Sequence, residues 1–305
     1  MVFDAGRFGK VLGVCLLLSS AGARAQTETE AAPVQKHVLP PLRWHDDWPR
    51  FRPIGYALTS ASVLGALAVT LFIDYPDDPR WSGGILFDDA VRSGLRARAP
   101  WLRDGVRTAS DFTMISNLVQ VGLVDGFIVP LARGSPHVAA QLSLINAQAF
   151  ALNVLVATLL FKVIARERPL GYDCRKDPGS DPLCSVGTYA SFPSSHTSTA
   201  FTAAGLTCVH HAYLPLYGGD WDLAACVQAL TFAGATGMFR IIGDRHYLTD
   251  VLVGAAIGLS FGYVYPWLLH YSSSKDNLQP TAARSETTWT VLPAPPYGLA
   301  IAGTL

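Results

Sequence analysis

Charge is scarce in this chain. Only 15% of its 305 residues are charged, against roughly 25% in an average soluble domain. Neither sign is in excess, with 23 Lys+Arg against 23 Asp+Glu. A nucleic-acid binder normally carries a basic surplus, so no nucleic-acid partner is expected. Apolar residues are not scarce: half the chain is hydrophobic, which excludes the low-hydrophobicity, high-charge composition of a disordered protein. No repeat with a period of about 20–50 residues is visible, so a solenoid or propeller array is not indicated. The apolar residues form either a soluble core or membrane spans, and their distribution separates the two better than their total.

The first residues read as an export signal. Arg7 and Lys10 precede an apolar run from Val11 to Leu18, and small residues follow, ending in Ala23-Arg24-Ala25. That order matches a secretory signal peptide at 1–25, and the apolar run is far short of the ~20 residues needed to span a bilayer. The polar, Pro-containing segment 26–53 reads as an extended extracytoplasmic linker. Beyond it the chain is a series of stretches almost free of charge. Residues 53–73, 134–161, 182–219, 223–239 and 251–274 contain no Asp, Glu, Lys or Arg, and 112–132 contains only Asp125. This pattern predicts an all-α fold, a polytopic membrane bundle of about six helices at 54–73, 112–132, 138–163, 194–214, 222–242 and 248–271, within a domain at 54–272. Ser, Thr, Gln and Asn interrupt several of these stretches, so a soluble helical enzyme is the competing reading. The tail 273–305 is low in charge, with a short strand as its one conceivable element.

Three polar clusters interrupt the apolar body. Arg166-Glu167-Arg168-Pro169 closes the third stretch, where Pro169 stops the helix; by themselves the arginines are equally well read as interfacial side chains reaching for headgroups. Phe192-Pro193-Ser194-Ser195-His196 opens the fourth. A helix N-terminus presents free N–H groups and a positive dipole end to an anion, but an ordinary Ser-rich cap has the same composition. The third cluster runs from Arg240 to Asp250. His246 and Asp250 are four residues apart and share a helical face, and a carboxylate beside an imidazole fixes its tautomer. Such a pair beside a membrane points to function. In an up-and-down bundle all three clusters reach one membrane face, where arginine forks can hold phosphate oxygens.

Together these clusters resemble the signature of the type 2 phosphatidic acid phosphatase (PAP2) superfamily, K-x6-R-P, then P-S-G-H, then S-R-x5-H-x3-D. Here they stand as Arg168-Pro169, as Pro193-Ser194-Ser195-His196 with Ser in place of Gly, and as Arg240, His246 and Asp250 with Phe239 in place of Ser. The family's lysine falls on Phe161, with Lys162 one residue late and Arg166 as its possible substitute. The resemblance implies a metal-independent phosphatase without a cofactor. His246 would be the nucleophile, Asp250 would hold its imidazole in the attacking tautomer, and His196 would be the general acid. Arg168, Arg240, Ser194 and Ser195 would cradle the phosphoryl group, with Lys162 and Arg166 as further phosphate contacts. A neutral nucleophile and a protonated acid imply a bell-shaped rate profile. The implied substrate is a lipid phosphate monoester or pyrophosphate in a bacterial inner membrane, of the phosphatidic acid, undecaprenyl pyrophosphate or lipid A type. Phosphotransfer, vanadium-haloperoxidase-like chemistry on the same site and non-catalytic phospholipid binding are the alternatives.

Cys174 and Cys184 flank a polar loop and in an exported setting read as a disulfide, whereas Cys208 and Cys226 read as packing residues. The disulfide and the resemblance both favour a site facing the periplasm. Cleavage after Ala25 and the arginines of 75–110 favour the opposite side under the positive-inside rule.

Overall fold

The structure is a computed structural model, and it describes residues 39–177, 179, 184, 189–272, 289–294 and 298–303. The expected signal peptide at 1–25, the linker as far as residue 38 and residues 273–288 of the tail lie outside the described residues.

Proline opens three of the long helices, at a position where its missing N–H leaves no bond unmade. These are α1 (Pro53–Phe72), α3 (Pro100–Ala132, with a π-helical stretch over Val119–Ile128) and α4 (Pro136–Ile164). Between α1 and α3 lies a short helix, α2 (Asp88–Leu95), and after α4 another, α5 (Gly171–Lys176). The bundle is completed by α6 (Ser195–Tyr213), α7 (Asp220–Ile242) and α8 (Leu248–Tyr271). Helices α1, α3, α4, α7 and α8 are long and apolar enough to cross a membrane. A sixth long helix, α6, is less apolar because of its Ser, Thr and His residues and lies inside the bundle, packed on α3, α4, α7 and α8. Leu64, Leu71, Phe72, Phe112, Trp221 and Leu223 point outward and are exposed. A soluble protein rarely presents so much apolar surface, so the membrane reading of the sequence prevails over the soluble one.

The centre is held by close backbone approach. Gly254, Gly258 and Gly262 repeat every fourth residue along α8 and face the Ser194, Ser198 and Thr202 carbonyls of α6. A Cβ at Gly254 would stand 2.6 Å from the Ser194 oxygen, and at Gly258 and Gly262 it would run into the next two carbonyls. Small residues that let two helices touch are the usual adhesive where lipid removes the hydrophobic drive.

Three departures from the sequence reading matter. First, α3 begins twelve residues before the expected 112, because Arg103, Asp104, Arg107 and Asp111 are accommodated at the membrane edge and at the site. Second, from Leu39 onward the supposed extended linker is packed: Leu42, Trp44 and Trp48 are buried and join Tyr271 and Tyr213 in an aromatic cluster. Third, Cys208 and Cys226 are not merely packing residues but a disulfide linking α6 to α7. The tail contains a hairpin, β1 (Trp289–Ala294) paired antiparallel with β2 (Gly298–Gly303).

Candidate active site

The six long helices alternate in direction, so residues 73–99, 165–177, 189–194 and 243–247 meet at one end of the bundle. The opposite end holds residues 39–52, where His270 Nδ1 lies 2.9 Å from the Pro49 carbonyl. The first end contains all three polar clusters. A pocket of about 350 Å³ lined by Arg52, Leu58, Tyr265 and Leu269 belongs to the opposite end and contains none of the cluster residues.

His246 sits in the turn between α7 and α8, only 2% exposed. Its Nδ1 lies 2.7 Å from the Ser191 carbonyl. A carbonyl only accepts, so Nδ1 carries the proton and Nε2 keeps its lone pair. The family resemblance assigns this orienting role to Asp250. In the structure Asp250 Oδ2 is 3.9 Å from His246 Nδ1, too far for a hydrogen bond. Asp250 instead accepts from Ser191 Oγ at 2.6 Å, from the Tyr247 N–H at 2.8 Å and from Arg166 Nη1 at 2.5 Å. It thus acts on His246 through Ser191, a residue that sequence reasoning missed because it lies just outside the Phe192–His196 cluster.

Arg166 is not a phosphate ligand. It is fully buried, pairs with Asp250 and with Asp88 at 2.9 Å, and is sandwiched between the rings of Trp81 and Tyr247 at 3.9 and 4.1 Å. Its backbone carbonyl accepts the Ser191 N–H at 3.0 Å. Asp88, from α2, also accepts from the Thr249 N–H and hydroxyl. Burial opposes its ionisation, but the bonds from Arg166, Ile85 and Thr249 win and leave its carboxyl below the usual range. Lys162 is engaged elsewhere as well, its ammonium 3.8 Å over the Tyr75 ring.

Ser194 caps α6, its hydroxyl accepting from the Thr197 hydroxyl at 2.8 Å. Its own N–H is bound to the Asp250 carbonyl at 3.0 Å, so that amide is not available to an anion. Ser195 and His196 are the first residues of α6, and their N–H groups have no intrahelical acceptor. The loop 243–247 is fixed from the outside. Asp244 has a left-handed φ of 57° and accepts two bonds from Arg92 at 2.6 and 2.8 Å, with Arg96 Nε 3.0 Å away. Arg96 also pairs with Asp173, so the arginines of 75–110 hold the site together instead of merely marking a membrane side.

Arg168 and Arg240 converge on His246, and both act on it electrostatically together with His196. Burial and these cations hold the His246 imidazole well below the ordinary histidine value, so it is neutral at neutral pH. Arg245 and Arg107 join the same group, both felt at Arg168, whose guanidinium is disfavoured by burial and then by its like-charged neighbours. Arg168 Nε, Arg240 Nε and Arg107 Nε are buried without a protein acceptor. A cluster of guanidiniums with unused inward N–H groups around an imidazole lone pair is suited to an oxyanion. Asp111 of α3 stands at its edge, 3.2 Å from His196 Nε2 and 3.4 Å from Arg240 Nη1. No group of three or more His, Cys, Asp or Glu residues able to hold a metal exists among the described residues. Cys174 and Cys184 are joined on this same face.

Comparison with known proteins agrees with this geometry. Residues 142–274 match the PAP2 superfamily model. A lipid A 1-phosphatase of Porphyromonas gingivalis is 41% identical over 83 residues, 27% of this chain and 17% of that protein. A probable diacylglycerol pyrophosphate phosphatase of Schizosaccharomyces pombe is 30% identical over 105 residues, 32% of this chain and 37% of that protein. The chain therefore spans well under half the length of these curated relatives. The crystal structure of a transmembrane PAP2-type phosphatidylglycerolphosphate phosphatase from Bacillus subtilis superposes with a TM-score of 0.48 at 19% identity, covering 70% of this chain and 94% of the other.

Proposed function

We propose that this protein is a PAP2-type membrane phosphatase that hydrolyses a lipid phosphate monoester or pyrophosphate through a phosphohistidine. The observation that carries the reading is the buried His246, its Nδ1 held on the Ser191 carbonyl, in a site where Arg168 and Arg240 have buried Nε–H groups without a protein acceptor.

The chemistry divides into two steps. Nε2 of His246 attacks phosphorus and the P–O bond to the leaving group breaks, while protonated His196 gives its proton to the departing oxygen. Water then attacks the phosphohistidine, His196 takes back a proton, and the P–N bond breaks to release inorganic phosphate. Arg168 and Arg240, with the free N–H groups of Ser195 and His196, hold the equatorial oxygens as their charge develops. No step calls on a metal. The site lies at the membrane edge, which favours a substrate whose tail stays in lipid; the relatives named for lipid A and for diacylglycerol pyrophosphate define the substrate classes to test.

We place this site on the periplasmic face of a bacterial inner membrane, supported by the Cys174–Cys184 disulfide beside it. Six crossings then put residues 39–52 in the cytoplasm. Cleavage after Ala25 would put them outside, so a cleaved signal and a periplasmic site exclude each other.

The functional test is phosphate release by detergent-purified protein from phosphatidic acid, a polyprenyl pyrophosphate and a soluble phosphomonoester, with and without chelator. Release that resists chelation and vanishes in His246→Ala supports the reading. No release from any substrate by folded wild-type protein removes it.

A further inference from the structure

The sequence pairs a histidine with a carboxylate at His246 and Asp250. The structure separates these two and pairs a carboxylate with the other histidine. Asp111 Oδ1 lies 3.2 Å from His196 Nε2, while Asp250 is bound to Arg166, Ser191 and Tyr247. Asp111 follows Arg107 by one helical turn on α3, so both reach the site from the same face of that helix. Its carboxylate is shared with Arg240 of α7 at 3.4 Å.

His196 lies among the arginines of the site: Arg240 from α7, Arg168 from the loop after α4, Arg245 from the loop after α7 and Arg107 from α3 all act on it electrostatically, and His196 acts in turn on His246. The one carboxylate in ion-pair contact with His196 among the described residues is Asp111. It is half-exposed, at the rim where a leaving alcohol would depart.

We infer that Asp111 is the positioning residue of the acid–base histidine: its carboxylate, in ion-pair contact with Nε2, orients the His196 ring and favours its protonated form during turnover, so that Nδ1 delivers the proton to the leaving oxygen. This rests on the phosphatase reading and extends it, because it assigns the proton-transfer half of the site to a residue outside the three sequence clusters. In the first step the proton moves from His196 to the leaving oxygen as the P–O bond breaks, leaving neutral His196 still bound to Asp111. In the second, water's proton returns to the same nitrogen.

The experiment compares wild type, Asp111→Asn and Asp111→Glu on two monoesters, one with an alkyl leaving group that needs a proton and one with a nitrophenyl leaving group that departs without it. General acid catalysis contributes on the order of 10²–10⁴-fold. Asp111→Asn is expected to lose at least ~10-fold on the alkyl ester and to change little on the nitrophenyl ester. The basic limb of its rate profile should move down by about one pH unit or more, as follows when an opposite charge within ~4–6 Å is removed. Asp111→Glu should restore much of both. NMR titration of the His196 imidazole in labelled protein reads the same pairing without turnover and should fall in Asp111→Asn. Equal losses on both esters with an unmoved profile and an unmoved titration would overturn the inference and leave Asp111 as a holder of Arg240. If wild type releases no phosphate the enzymatic reading fails, while the titration still decides whether Asp111 controls His196.

Discussion

The Ser191 carbonyl oxygen lies 2.7 Å from His246 Nδ1, and this one bond determines which nitrogen of the ring is free. Ser191 is itself held twice, its N–H on the Arg166 carbonyl and its hydroxyl on Asp250. Arg166 closes the circuit by pairing with Asp250, so Arg166, Ser191 and Asp250 form a single support beneath His246.

It follows that Asp250 and Arg166 should behave as a buried pair. Removing one partner leaves an uncompensated charge, which costs on the order of 3–5 kcal/mol. Arg166→Leu and Asp250→Ala should each lower the detergent melting temperature sharply, and the double variant should cost less than the sum. Thermal unfolding of the four proteins measures this. Additive losses would show that the two are not coupled.

The pH dependence has a defined sign. The folded-state value of His246 is depressed by burial, Arg168 and Arg240. The ring therefore remains neutral below the ordinary value of ~6.5. The acid limb of kcat/KM in the free enzyme should lie well below that value, provided chemistry is rate-limiting. Below pH ~6.5 the unfolded chain takes up a proton at this position that the folded chain refuses. Stability from His246 is thus present above that pH and declines as pH falls towards the folded value. His246→Asn should flatten part of the acid loss in melting temperature. An acid limb at or above the ordinary histidine value would contradict the burial.

Most of the fold was legible because charge is so unevenly distributed. Each of the five other predicted spans lies within two residues of its helix at both ends, whereas α3 extends well before residue 112. The spans could be read because lipid forbids charge over the length of a crossing. The exception is instructive: charge-free stretches locate hydrocarbon, and α3 continues past it into the site carrying Arg107 and Asp111. His196, Arg168, Arg240 and His246 come from the three clusters that an up-and-down bundle brings to one end, and they act on one another electrostatically. Ser191 acts through its backbone carbonyl, which has no residue-type signature at all. Arg166 and Arg168 look alike in sequence, and only the rings of Trp81 and Tyr247 and the carboxylates of Asp88 and Asp250 distinguish the buried strut Arg166 from Arg168, whose Nε has no protein acceptor.

The α6–α8 contact makes a prediction about size alone. A methyl at Gly258 or Gly262 would collide with the Ser198 or Thr202 carbonyl, which belongs to a helix backbone and cannot turn aside. Gly234 of α7 has nothing within 4 Å of the corresponding position. Gly258→Ala and Gly262→Ala should therefore cost at least the ~1–3 kcal/mol of an overpacked core. Gly234→Ala should be neutral or slightly stabilising, since alanine is the better helix former. Comparable melting temperatures for all three would mean the helices are not in contact as described.

The number of crossings makes the last prediction, and it separates two expectations that the sequence held together. α1, α3, α4, α6, α7 and α8 alternate, so Asp177 and Tyr189 lie on the side opposite both Leu39 and Ser272. A reporter that is active only outside the cytoplasm, fused after Ser272, should be silent when the site is periplasmic, and the same reporter inserted near Gly179 should be active. A cytoplasm-only fluorescent reporter should give the reverse pattern. The arginines of 75–110 would argue otherwise if they acted as free topogenic charges, but Arg92 and Arg96 are bound to Asp244 and Asp173, and Arg80 Nη1 donates to the Val163 carbonyl at 2.9 Å. Should the Ser272 fusion be active and the Gly179 insertion silent, the site faces the cytoplasm, the cleaved signal at Ala25 is consistent with the fold, and the substrate must be sought in the inner leaflet.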